Sequence, residues 1–67
     1  MTRQQIKQWY MDHVGIASRL VYNLDSGYKI AYENGDSYEY KIIKWTVREK
    51  ITQAFINGSL VYEYVQH

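Results

Sequence analysis

The residues able to do chemistry are few in this chain, and their spacing limits what they could do. His13 and His67 are the only histidines, there is no cysteine, and no H-x-x-x-H spacing occurs. A zinc site built from nitrogen and sulfur ligands is therefore not expected. His13 falls on the apolar stripe of a helical segment, where a hydrogen-bonded boundary role is the expectation. Nucleophile elbow, phosphate-binding loop and dinucleotide fingerprint are all missing from the sequence. Glu33 and Asp36 flank one loop and read as solvated acids. The expectation is a non-enzymatic protein with no catalytic residue, no cofactor and no metal.

Binding chemistry is better supplied. Lys41, Lys44, Arg48 and Lys50 fall within ten residues with Glu49 the only acid, which makes that segment locally +3. Residues 23–40 hold Lys29 against Asp25, Glu33, Asp36 and Glu39, locally −3. The chain is dipolar rather than basic, with an isoelectric point near 8.0. Nucleic-acid contact through the basic segment is one reading, because phosphates are held by clustered Lys and Arg. The other rests on eight tyrosines and two tryptophans, since such rings are enriched at protein interfaces. Trp45, Tyr62 and Tyr64 are the expected exposed rings. Asp25, Glu33 and Asp36 would form acidic hairpin tips able to meet a basic groove in a partner.

These residues must be positioned by short elements punctuated by glycines at 15, 27, 35 and 58. Thr2 and Gln5 have capping-box spacing, and Ile6, Trp9, Tyr10 and His13 follow as one helical stripe ended by Gly15. From Ser18 the period becomes two, which predicts three strands. Three-residue loops at 25–27 and 33–35 keep apolar residues opposite apolar ones. They pair Leu24 with Tyr28, Tyr22 with Ile30 and Leu20 with Tyr32, with Arg19 opposite Glu33. In the second hairpin Ile30 meets Tyr38, Tyr28 meets Tyr40, and Lys29 meets Glu39. Thr46 and Glu49 repeat the capping-box spacing, and Val47, Ile51, Ala54 and Phe55 predict a second helix ending at Asn57-Gly58. Residues 60–65 read as a fourth strand or a docked extended tail; as a strand they lie beside the first or the third, either central or with one face on a partner.

The expected fold is therefore α+β, ordered α-β-β-β-α-β, with both helices on the tyrosine-rich face of one antiparallel sheet. Sixty-seven residues make one domain, residues 1–67. So short a chain buries only about 60% of its unfolded surface, and aromatic packing or homodimerisation would compensate. No apolar run approaches the roughly 18 residues of a membrane span. A soluble protein of the cytoplasm is the expectation.

The short helix, tight meander and second helix ending in Ala54-Phe55-Ile56-Asn57-Gly58 resemble small phage-encoded host-takeover proteins. They are most similar to compact anti-CRISPR inhibitors of type II nucleases, some of which end a helix in a similar Ala-Phe-x-Asn-Gly. The resemblance implies a protein made in a host cell that occludes a CRISPR nuclease or another nucleic-acid-processing or defence enzyme. The acidic members mimic DNA, whereas this chain carries +1. The resemblance carries over no binding residue.

Overall fold

The computed structural model describes residues 1–23 and 25–67. One helix, α1 (Arg3–Asp12), precedes five strands: β1 (Ser18–Asn23), β2 (Gly27–Tyr32), β3 (Ser37–Trp45), β4 (Lys50–Ile56) and β5 (Ser59–Gln66). They form one antiparallel sheet in sequence order, so β1 and β5 are its edges. The α1 capping box forms as expected: Gln5 N–H donates to Thr2 Oγ1 at 3.1 Å, and Thr2 N–H donates to Gln5 Oε1 at 2.8 Å. The helix stops earlier than Gly15, at a right-handed His13 cap whose side chain is pulled into the polar network described below.

The expected second helix is a strand. Thr46 does accept from the Glu49 amide, at 2.9 Å, but within a hairpin turn closed by a Thr46 N–H bond to the Glu49 carbonyl. A hydroxyl holding an amide three residues on serves a turn as well as a helix start, so the motif cannot separate them. The following Ile51, Thr52, Phe55 and Ile56 are β-branched or aromatic and favour a sheet. As a strand this segment pairs on both sides, with β3 and β5. Val47, assigned to the helix stripe, sits fully exposed at the hairpin tip. Asn57-Gly58 does not end a helix: at φ 53° and 84° it makes the two-residue hairpin turn that Asn-Gly favours. The order is thus α-β-β-β-β-β, and the C-terminal strand is an edge beside β4 rather than central.

The β2–β3 register agrees with the sequence reading, with Ile30 opposite Tyr38, Tyr28 opposite Tyr40 and Lys29 opposite Glu39. The β1–β2 register is displaced by two residues. Tyr22 faces Tyr28, Leu20 faces Ile30, and Arg19 faces Ala31 rather than Glu33. A two-residue slide leaves every side chain on its original face, so alternation alone cannot choose between the two registers. Gly27 decides it by joining the ladder opposite Asn23 instead of closing the loop. The expected partner Leu24 lies outside the described residues.

Helix α1 runs across one face of the sheet from β5 towards the β2–β3 loop. The Met1 ammonium donates to the Val61 carbonyl at 2.9 Å, and at the other end Trp9 meets Tyr32 edge-on at 5.6 Å. Beneath the helix lies a small core of Ile30, Tyr32, Tyr38 and Ala54, flanked by Ile6, Trp9 and Ile56. Burial above all pushes the Tyr38 phenol up to about 12. Ala54 is the small residue between Tyr40 and Tyr62 on adjacent strands.

A polar network fastens the end of the helix to two hairpin loops. His13 stacks on Trp9 with centroids 3.8 Å apart. Its Nδ1 donates to the Trp9 carbonyl at 2.6 Å, and its Nε2 donates to Asp36 Oδ2 at 2.8 Å. A carbonyl and a carboxylate only accept, so the geometry with both bonds made is that of the imidazolium form. Asp36 also accepts from Asn34 Nδ2 at 3.0 Å and Asn57 Nδ2 at 3.2 Å. The bond to Asp36 and then that to Trp9 hold His13 above its ordinary 6.5, and the His13 bond holds Asp36 below its ordinary 3.8. The imidazolium contribution is complete below pH 6.5 and lost as pH rises through the elevated folded value. The carboxylate contribution is complete above pH 3.8 and lost as pH falls through the depressed folded value. Thermal unfolding from pH 3 to 9 should show a plateau between those limits. In His13→Asn the alkaline decline should flatten, and an unchanged alkaline slope would remove His13 as its source.

Candidate functional site: an aromatic groove with a cationic lining

The missing second helix leaves half of the tyrosine face open. Helix α1 covers the end of the sheet near the β2–β3 and β4–β5 loops. The opposite end forms an open groove of about 730 Å³, within the 300–1,000 Å³ typical of ligand sites. Its floor crosses the strands from Tyr28 and Tyr40 through Thr52 and Ala54 to Tyr62 and Tyr64. Ile6, Lys7 and Tyr10 of α1 make one wall, with Arg3 at the helix start. Trp45, Lys50 and Gln66 stand at the other side.

Two irregularities in the ladder aim these side chains. Simple alternation along β3 would send Trp45 to the face opposite Tyr38, Tyr40 and Ile42. The register shifts between Ile42 and Lys44, so Trp45 instead pairs with Lys50 and shares the groove with Tyr40. A second shift, between Ala54 and Phe55, places Tyr62 opposite Ala54 and Tyr64 opposite Thr52. Bulges of this kind re-aim side chains, and they are enriched beside functional sites. Nothing in the period-two pattern marks where an extra residue will be accommodated.

The rings are held but not consumed. Tyr28 and Tyr40 stack with centroids 5.5 Å apart. The Tyr64 hydroxyl donates to Gln66 Oε1 at 2.9 Å. Lys50 Nζ lies 4.8 Å from the Trp45 ring centre, a cation–π contact, while Trp45 stays 58% exposed. Tyr10 and Tyr64 are exposed, and Tyr62 is half-buried. Three cations, Arg3, Lys7 and Lys50, line the groove with no carboxylate among the lining residues.

The structure gathers only part of what the sequence singles out. Trp45, Tyr62 and Tyr64 come together here, joined by Lys50 from the basic segment. Lys41 lies on the opposite face with its ammonium 5.0 Å from the Phe55 ring centre. Lys44 pairs with Glu49 at 2.6 Å, and this contact holds the Glu49 carboxyl below its ordinary range. Arg48 is exposed at the β3–β4 hairpin tip. The four cations therefore do not make one patch. Asp25 and Glu33 are exposed in loops at opposite ends of β2, and Asp36 is bound into the His13 network. Asp25 is thus separated by the length of β2 from Glu33 and Asp36, which share the β2–β3 loop. Sequence reasoning missed Arg3, Lys7, Tyr10, Tyr28 and Tyr40, because a predicted second helix would have covered the tyrosines.

Among the described residues no helix is long and apolar enough to cross a membrane, and no group of three acidic, histidine or cysteine side chains is placed to hold a metal. The chain matches no known protein family, no curated protein and no solved structure.

Proposed function

We propose that this protein is a small non-enzymatic binding module whose working surface is the groove beside α1. The observation that supports this reading is convergence. Trp45, Tyr62 and Tyr64 come from β3 and β5, and meet Arg3 and Lys7 of the helix and Lys50 of β4 on one concave surface. Rings of this kind bury a large face while their polar edge stays wet, which suits a surface that alternates between water and a partner. The partner is one that presents flat apolar groups together with negative charge.

A second reading makes the module an occluding inhibitor of a host nucleic-acid-processing or defence enzyme, of the anti-CRISPR kind. The exposed Trp45 favours it, because tryptophan leads the residues that dominate binding energy at protein interfaces. The Ala54–Gly58 segment on which the resemblance is based is a strand and its hairpin turn rather than a helix end, so this reading rests on Trp45 alone.

The test is affinity capture from a cell lysate, with and without nuclease, using the protein and a Trp45→Ala, Tyr64→Ala variant. Both rings are exposed, so the variant should retain its fold, checked by thermal unfolding. The protein should retain a partner that the variant holds at least about tenfold less well, as expected when hot-spot rings are truncated. Equal capture by both would move the working surface away from the groove. A partner protein that survives nuclease would favour the inhibitor reading.

A further inference from the structure

We infer that the groove takes a single strand of nucleic acid, with bases stacked on its rings and phosphates held by Arg3, Lys7 and Lys50. This rests on the groove being the working surface.

Three features of the groove select this occupant. First, its charge has one sign: three cations line it and no acid does, although the whole chain carries only +1. Second, its apolar surface is aromatic rather than aliphatic. Six rings line it, from Tyr10, Tyr28, Tyr40, Trp45, Tyr62 and Tyr64, against the aliphatic Ile6 and Ala54. An amphipathic helix inserts aliphatic knobs and would want an aliphatic floor. Bases offer flat faces to rings and tolerate any sequence, which is how open sheets hold single strands. Third, the surface is concave. Proteins read a duplex by inserting a protruding helix or ribbon into a groove of the DNA, whereas a concave channel admits one strand.

The dimensions agree. From β2 to β5 the floor spans three interstrand steps of about 4.8 Å, or about 14 Å. At about 3.4 Å per stacked nucleotide that is room for roughly four. Lys50 already sits over one part of Trp45, so a base stacked on the exposed remainder would have its phosphate beside an ammonium. The exposed Gln66 lines the groove, and its amide nitrogen supplies a hydrogen bond that does not depend strongly on sequence.

The experiment is fluorescence anisotropy with a fluorescein-labelled ten-nucleotide oligothymidine, its oligouridine counterpart and a ten-base-pair duplex. With three phosphates neutralised, the logarithm of the binding constant should fall against log salt with a slope of about −2, or about fifteenfold between 50 and 200 mM. Trp45→Ala with Tyr64→Ala should weaken binding at least about tenfold, since each stacked base contributes roughly 5- to 150-fold. Lys7→Gln with Lys50→Gln should reduce the slope to about −0.7. Three results would each overturn the inference: no strand binding at 50 mM salt, duplex bound as tightly as strand, or ring variants that bind like the parent. If oligonucleotides fail while the ring variant still loses a protein partner from lysate, the groove stands as the working surface and only its occupant is wrong.

Discussion

Replacing Ile30 with alanine should lower the unfolding free energy by about 2–5 kcal/mol, the range for large-to-small changes in a packed core. Ile30 is only 8% exposed and lies between Leu20 on β1 and Tyr38 on β3, within the core under α1. The surroundings cannot close around the gap easily, because Tyr32 and Tyr38 are fixed by ring contacts to Trp9. A domain of this length has roughly 3–10 kcal/mol in total, so the variant should be largely unfolded at the low end of that range. At about 4–8 °C per kcal/mol, the melting temperature should fall by at least about 8 °C. Ile30→Val removes one methylene and should cost only about 0.5–1.5 kcal/mol. Equal losses from the two substitutions would show that the site tolerates empty volume and that the core lies elsewhere.

Gly27→Ala should be as damaging by a different route. Gly27 adopts φ 118°, a backbone region that side chains rarely enter, and a Cβ there would run into the Tyr40 carbonyl oxygen. The obstacle is backbone at the Gly27–Lys41 end of the β2–β3 ladder, so relief requires the two strands to separate there. A cost of about 3 kcal/mol or more follows from backbone strain with the contact added. Gly35 is the comparison, because its φ is 95° but nothing lies within 4 Å of an added Cβ. Gly35→Ala should carry the left-handed cost alone, about 1–2 kcal/mol. Chemical denaturation of both variants reads the difference. If they lose stability equally, Tyr40 gives way and the close approach has no structural role.

What the sequence disclosed, and what it withheld, follows the range of the interactions concerned. The α1 capping box and the β2–β3 hairpin are determined by residues a few positions apart, and both appear as read. The β4 segment is decided by neighbours outside its own window. Its Thr46–Glu49 hydrogen bond is identical in kind to a helix cap, and its apolar residues satisfy a helical stripe as well as two strand faces. Pairing with β3 and β5 on both sides settles the matter in favour of the strand. The site was half legible for the same reason. Trp45, Tyr62 and Tyr64 were marked by type, but the bulge that brings Trp45 to its neighbours is a property of the assembled ladder. Arg3 and Lys7 fall outside the Ile6–His13 stripe, and they become part of the site through the course of α1 over the sheet.

The sequence-ordered sheet has a consequence for the route by which the protein reaches this state. Each strand pairs with its neighbour along the chain, so the sheet can close through four successive short loops, and folding built on local contacts is fast. The helix is the exception. It is synthesised before all five strands, yet Met1, just before it, bonds to Val61, sixty residues later. A nascent chain therefore carries α1 and its apolar stripe without their full docking surface until β5 has left the ribosome. The groove, walled by α1 on one side and floored in part by β5, is assembled only once β5 has joined the sheet.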